Sequence, residues 1–208
     1  MTSAIDAARA AALSSFVSQV TPRSVTEAQL AAAEATAPAI LPGVLSDAEI
    51  SEVLRLADGC PPDAVVSYGD AHEVRYLHRS APRSSHLIER LIAAMRASEI
   101  CGGSAGALRV RCIELHSYAV GGGLMERGHR DKGSAISLSA LLTAPGGGGA
   151  FTTWDADGAA VEHALRPGDA VVFASEKTHN VSLVTSGTRQ TVVIELWKGD
   201  ANARDRYS

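Results

Sequence analysis

The strongest constraint on the fold lies in residues 108–197. Short β-like runs follow one another at about 108–118, 134–143, 150–154, 160–165, 169–174, 178–184 and 189–197, each closed off by Gly, Pro, Asp or Asn. Many short strands with turn signals between them specify a sandwich or a barrel. The front of the chain has a different period. Residues 2–37 are rich in Ala, the best helix former, and Ser24-Val25-Thr26-Glu27 offers a cap at Ser24 with Glu27 at the third helical position. Pro38 and Pro42-Gly43 then break the chain. Ser46 is a candidate N-cap for a second helix, in which Ile50, Val53, Leu54 and Ala57 recur at helical spacing until Gly59 and Pro61-Pro62. Runs 65–68 and 73–78 read as strands around the turn Gly69-Asp70, and 85–98 as a third helix burying Leu87, Leu91, Ile92 and Met95. After Gly102-Gly103 the β-rich part begins.

A helical front and a β-rich back give an α+β chain whose core is a double-sheet barrel with supporting N-terminal helices. The expected organisation is an Ala-rich helical lead-in over 1–43 and one domain over 44–208, with helical support over 44–103 and the barrel over about 104–198. At 208 residues the chain is long enough to bury a sizeable core. Its formal net charge of −4 counts against a protein that lives on nucleic-acid phosphates or an anionic membrane surface. No apolar stretch approaches the ~18 residues of a membrane span. Cys60, Cys101 and Cys112 are odd in number and lack zinc-like spacing, so they read as reduced thiols in a reducing compartment. The N-terminus has no basic start followed by an apolar block, which argues against a signal peptide. Its acids Asp6, Glu27 and Glu34 count against a transit peptide. The expected location is the cytoplasm, with organelle targeting by the N-terminal segment as the alternative.

Chemistry enters with His129-Arg130-Asp131. On an extended segment residues i and i+2 point to the same side, so the imidazole and the carboxylate can reach one ion. His179 lies fifty residues on, at the start of another β-like run. Two His and one carboxylate leave positions open on a metal, as non-haem Fe(II) oxygen chemistry requires, and nothing supplies the thiolates of structural zinc. A triplet of this kind is common by chance, so the downstream run matters. Alternation on 189–197 puts Arg189, Thr191 and Val193 on one face. An inward Arg in a barrel is costly unless paired, and a carboxylate is its best partner. A small dicarboxylate would give one end to Arg189 and the other to the metal; the competing partners are the protein's own Glu114 and Glu195.

The ordered set Tyr118, Gly121-Gly122, His129-Arg130-Asp131, Gly147-Gly148-Gly149-Ala150-Phe151, Arg166-Pro167-Gly168-Asp169-Ala170-Val171-Val172-Phe173, His179 and Arg189 resembles the 2-oxoglutarate- and Fe(II)-dependent dioxygenases of the prolyl 4-hydroxylase-like group. The resemblance covers roughly 108–197, with a weaker echo from Leu45 onward. It implies a jelly-roll (double-stranded β-helix) barrel with iron held by His129, Asp131 and His179. It implies that Arg189 grips the distal carboxylate of 2-oxoglutarate, helped by the hydroxyls of Tyr118 and Thr191. It also implies O2 as cosubstrate, succinate and CO2 as coproducts, ascorbate as a further cofactor, and hydroxylation of an aliphatic C–H bond, first of all in a peptidyl proline. The spacing from Tyr118 to His129 is two residues longer than in collagen-type prolyl hydroxylases, which usually carry Lys where this chain has Arg189. Those departures bear on the substrate, and a small metabolite is the alternative to a peptide.

Other residues carry two readings. Leu108, Val110 and Cys112 would share a strand face with Glu114, His116 and Tyr118, the apolar half in the core and the polar half toward the site. His116 either lines the pocket or turns outward. His72, His78, His86 and His163 show no partner spacing and read as structural or exposed. Residues 121–123 and 146–149 read as hinged loops at the barrel mouth, and Trp197 as core. A zinc hydrolase with the same triad and a non-catalytic sugar- or peptide-binding barrel are the competing functions. A nucleic-acid demethylase of the same superfamily is disfavoured, because Glu195 stands where those enzymes usually carry a second Arg. Oligomeric state is not legible.

Overall fold

A computed structural model describes residues 25–63, 71–79, 85–101 and 106–199. The part of the expected 2–37 helical lead-in before residue 25, including the Ser24 cap, the strand 65–68 with its Gly69-Asp70 turn, and the Gly102-Gly103 break lie outside those residues. In chain order the elements are α1 (Glu27–Ala35), β1 (Ala39–Leu41), α2 (Asp47–Asp58), β2 (His72–Tyr76), α3 (His86–Ala97), β3 (Arg109–Tyr118), β4 (Ile136–Thr143), β5 (Gly147–Gly148), β6 (Phe151–Trp154), β7 (Ala160–His163), β8 (Ala170–Ala174), β9 (His179–Val181), β10 (Val184–Ser186) and β11 (Arg189–Trp197). A 3-10 turn, Leu77–Arg79, follows β2.

The helices begin where side chains can satisfy their first N–H groups. Ser46 caps α2 in a reciprocal box with Glu49, and Ser85 caps α3. Helix α1 starts two residues later than the Ser24 cap would place it. Thr26 is its cap, and Gln29 rather than Glu27 reaches back to the Thr26 N–H at 2.9 Å.

Strands pair antiparallel in a six-stranded sheet of order β1-β8-β4-β11-β3-β2, a three-stranded sheet β7-β6-β9 and a two-stranded β10-β5 ribbon. This is the double-sheet barrel with helical support that the strand pattern predicts, and the jelly roll that the family resemblance implies. One face of the large sheet packs on the helices. Val192, Ile194 and Leu196 of β11, Ile113 and Leu115 of β3, and Leu138, Ala140 and Leu142 of β4 meet Val53 and Ala57 of α2 and Leu87, Ile88, Leu91 and Met95 of α3. The other face turns toward the small sheet, where Val171 and Phe173 of β8 pack with Phe151 of β6 and Val181 of β9. Period-2 alternation therefore sends every second residue of β3, β4 and β11 into the space between the sheets.

Three details differ from the sequence reading. The run 178–184 divides into β9 and β10, which join different sheets. The short β1, whose Ala-Ile-Leu gives no alternation, pairs with β8 between the two prolines. The shared face expected for Leu108, Val110 and Cys112 with Glu114 is broken by a bulge. Cys112 pairs with Glu195 but Val110 with Leu196, so Arg111 is the extra residue. Leu108 and Val110 consequently lie on the helix side, whereas Cys112, Glu114, His116 and Tyr118 stay in register with inward-facing β11 residues.

Leu138 on β4 is fully buried between sheet and helices. Leu138→Ala is expected to destabilise the chain by about 2–5 kcal/mol, read from urea unfolding midpoints; a cost below ~1 kcal/mol would show that this layer is loosely packed.

Candidate active site

His129 and Asp131 lie on a segment without regular structure that is nonetheless tied at both ends. The Asp131 N–H donates to the Ser175 carbonyl at 2.9 Å, and the His179 N–H donates to the His129 carbonyl at 3.1 Å. These bonds bring the start of β9 beside the triplet. His129 Nε2 lies 3.5 Å and His179 Nε2 3.7 Å from the same Asp131 Oδ1. The two imidazole rings stand edge to face, with centroids 5.0 Å apart. One donor atom from each of the three residues falls within 4.8 Å of the others, which is the spacing of ligands around one ion.

The surroundings fix which atoms point inward. His179 Nδ1 lies 3.0 Å from the Lys177 carbonyl, and His129 Nδ1 3.0 Å from Glu126 Oε2, which leaves both Nε2 atoms facing Asp131. Asp131 Oδ2 accepts from Ser137 Oγ at 2.6 Å, and Ser137 lies 2.9 Å from Ser175 Oγ. One carboxylate oxygen is thus held by the barrel wall while the other faces the imidazoles.

Arg189 opens β11, opposite Tyr118 on β3. It is 2% exposed, and its Nη1 has no hydrogen-bond partner among the described residues. Its guanidinium lies 5.9 Å from the Tyr118 ring centre. Burial pushes its pKa below the ordinary value, partly opposed by Tyr118, but arginine stays a cation in proteins. The protein's own acids are engaged elsewhere. Glu195 lies 3.6 Å from Arg111 and accepts from Ser134 Oγ at 2.5 Å, while Glu114 is 2.9 Å from His116 Nε2.

Thr191 also faces inward, but its single hydroxyl proton goes to the Ala140 carbonyl at 2.8 Å, and Ser139 Oγ lies 2.9 Å away. Its hydroxyl is therefore bonded within the sheet. His116 points inward with Tyr118, 3.4 Å from its hydroxyl. His72 departs from the sequence reading. It is buried, 2.9 Å from His116 Nδ1, and stacked on Tyr118 at 4.2 Å between ring centres. The signal for it lies in pairing, because β2 places His72 directly opposite Tyr118. His78 bonds the Ile113 backbone and His163 lies 2.9 Å from Thr153 Oγ, both structural, and His86 is exposed.

The glycine segments are fastened rather than hinged. Gly121 donates to Val184, Val184 to Gly122, Gly146 to Ser186 and Gly149 to Leu183, all near the Arg189 end of the barrel. A Cβ at Gly148, whose φ is +68°, would lie 2.0 Å from the Leu183 carbonyl oxygen, and one at Gly122 would lie 1.9 Å from that of Ala71. Close backbone approach explains these glycines. Trp197 is likewise not in the core; it is half-buried, with the Arg111 guanidinium 5.2 Å from its ring.

No protein-family model and no curated protein matches the chain by sequence. Solved structures do match by shape. A 2OG-Fe(II) oxygenase family oxidoreductase from Burkholderia pseudomallei superposes with a TM-score of 0.58 at 15% identity, covering 88% of this chain and 96% of that one. The collagen prolyl hydroxylase of Paramecium bursaria Chlorella virus 1, in complex with 2OG, gives 0.58 at 16% identity over 81% and 99%. The α-ketoglutarate-dependent epimerase SnoN of nogalamycin biosynthesis gives 0.59 at 18% identity over 81% of each chain. At these identities the likeness establishes the fold: the chain has the jelly-roll fold of the 2OG-Fe(II) oxygenases.

Burial, with the neighbouring His116 adding to it, lowers the His72 pKa from 6.5 to about 3. Between those values the unfolded chain binds a proton that the folded one refuses, so this residue makes stability fall as pH drops from 6.5 toward 3. His72→Asn should make that fall shallower, measured by urea unfolding at pH 7 and pH 4.5. An unchanged pH dependence would show that His72 is free to charge in the folded state.

Proposed function

We propose that the chain is a 2-oxoglutarate- and Fe(II)-dependent dioxygenase that hydroxylates an aliphatic C–H bond, with peptidyl proline as the first substrate class. The observation that carries this reading is Arg189: a buried cation whose Nη1 has no partner among the described residues. It lies on the inward face of β11, and Ser137, on the facing side of β4, holds Asp131 of the three-donor cluster. A buried arginine in that state calls for an anionic ligand, and a keto acid with a second carboxylate would meet the arginine at one end and a metal at the other.

The residues present fit both groups. His129, Asp131 and His179 offer two neutral imidazoles and a carboxylate, a donor set suited to Fe(II) with positions left open. Arg189 would hold the distal carboxylate of 2-oxoglutarate, with the Tyr118 hydroxyl beside it. Once bound, the ferrous ion and its keto-acid cosubstrate supply the oxidation: substrate C–H, O2 and 2-oxoglutarate become substrate C–OH, succinate and CO2. The protein's part is positional. Ser137 and Ser175 hold Asp131, the Lys177 carbonyl and Glu126 orient the imidazoles, and Phe151, Phe173 and Val181 make the wall beside His179 apolar. Ascorbate enters as an accessory reductant.

Similarity of shape to a collagen prolyl hydroxylase supports a peptide substrate. Comparable similarity to the epimerase SnoN supports the second reading, a small metabolite. A zinc hydrolase would leave Arg189 without a role. The net charge of −4 disfavours a nucleic-acid substrate, and among the described residues no helix is long and apolar enough to cross a membrane. Cys60, Cys101 and Cys112, buried and in no disulfide among the described residues, support a reducing compartment such as the cytoplasm.

A panel of proline-containing peptides and small metabolites, scored by succinate release with Fe(II) present, tests the class of substrate. His129→Ala and Asp131→Ala should each abolish substrate-dependent succinate formation while circular dichroism is preserved; turnover retained in both removes the triad assignment. Arg189→Ala should raise the 2-oxoglutarate concentration for half-maximal rate by more than about tenfold, because hydrogen bonds to charged groups contribute ~1.5–3 kcal/mol. An unchanged requirement would place the cosubstrate anchor elsewhere.

A further inference from the structure

Helix α1 ends on a residue that local physics disfavours. Glu34 lies in the last turn, where no basic residue accompanies it and the helix dipole favours cations. A residue that breaks a local rule calls for a tertiary reason, and the contacts of Glu34 supply one. Its carboxylate lies 2.5 Å from Arg130 Nη2 and accepts from Thr178 Oγ1 at 2.6 Å, and the Thr178 N–H lies 3.3 Å from both carboxylate oxygens. Lys177 Nζ donates to the Glu34 backbone carbonyl at 2.5 Å and lies 3.9 Å from Oε2.

The partners are notable for their neighbours. Arg130 sits between His129 and Asp131, and Lys177 and Thr178 immediately precede His179. Glu34 therefore bonds both chain segments that carry the three-donor cluster. Arg130 adds a cross-link of its own, donating from Nη1 to the Glu176 carbonyl. The arrangement also leaves two cations, Arg130 and the 2%-exposed Lys177, on the two segments that carry the candidate ligands, with Glu34 as the acid in ion-pair contact with both.

We infer that Glu34 is a positioning residue for the metal centre: it clamps the His129–Asp131 segment to the approach of His179 and offsets the two adjacent positive charges. This rests on the proposed metal-site reading and extends it to a residue far from all three ligands in sequence. Helix α1 is thereby part of the active-site framework. The side chains of Glu34 and Arg130 are only 17% and 20% exposed, so solvent screening weakens the clamp less than it would a surface pair.

Mn(II), a redox-stable stand-in for Fe(II), is titrated into the full metal-free chain, and the free ion is followed by electron paramagnetic resonance. Glu34→Ala and the similarly sized Glu34→Gln should each raise the Mn(II) Kd by about tenfold, at the low end of the loss seen when outer-shell partners of metal ligands are removed. Glu27→Gln, an exposed site in the first turn of the same helix, should leave it unchanged. Adding Glu34→Ala to Arg130→Ala should weaken binding further by much less than tenfold, because the two residues act as one unit. A merely structural Glu34 would lower the melting temperature of the metal-free chain and leave Kd at the assay temperature unaltered. Wild-type Kd in the folded Glu34→Gln variant overturns the clamp, whether or not Glu34→Ala folds; so does full additivity with Arg130→Ala. If the wild-type chain itself binds no Mn(II), the metal-site reading falls and takes the clamp with it, a pattern distinct from wild-type binding that is insensitive to Glu34.

Discussion

A cation buried at the start of the last strand organises this molecule. Arg189 opens β11 opposite Tyr118 of β3, and its side chain is withdrawn from bulk water. Removing a guanidinium from water costs several kcal/mol unless an anion meets it. The acids that could have met it, Glu114 and Glu195, are bound to His116 and to Arg111 and Ser134. The folded chain thus carries an electrostatic demand that the dicarboxylate we propose would satisfy.

That demand and the fold share one register. The alternation that sends Val192, Ile194 and Leu196 into the helix-backed core sends Arg189, Thr191 and Glu195 between the sheets. A one-residue slip would exchange the two sets and destroy both core and site. The bulge at Arg111 keeps this consistent along β3: it lets Leu108 and Ile113 reach the same core while Cys112, Glu114, His116 and Tyr118 turn inward. Hydroxyl groups complete the inner surface, with Ser137 bonded to Asp131 and Ser139 to Thr191.

The parts legible from sequence alone were those with short-range signals. Strand existence followed from turn residues and apolar runs, and the inward face of β11 from period-2 alternation. The triplet at 129–131 was visible because its two donors sit two residues apart. Features set by pairing were hidden. His72 reads as an isolated histidine until β2 lays it against Tyr118, and Glu34 is only one acid of an Ala-rich stretch until the fold brings it to Arg130 and Thr178. The glycines at 121–123 and 146–149 suggested hinges because sequence shows their freedom but not the carbonyls packed against them. The bulge left no mark in the alternation of 108–118, since Leu, Val and Cys suit either face.

The central claim is that one site holds a ferrous ion and an organic diacid together. Anaerobic mixing of the chain with Fe(II) and 2-oxoglutarate tests it most directly, because a keto acid chelated to ferrous iron gives a visible charge-transfer band. The account predicts a band that saturates at one equivalent of each component and is lost on adding a chelator. Absence of the band, with 2-oxoglutarate binding indifferent to iron, would contradict it.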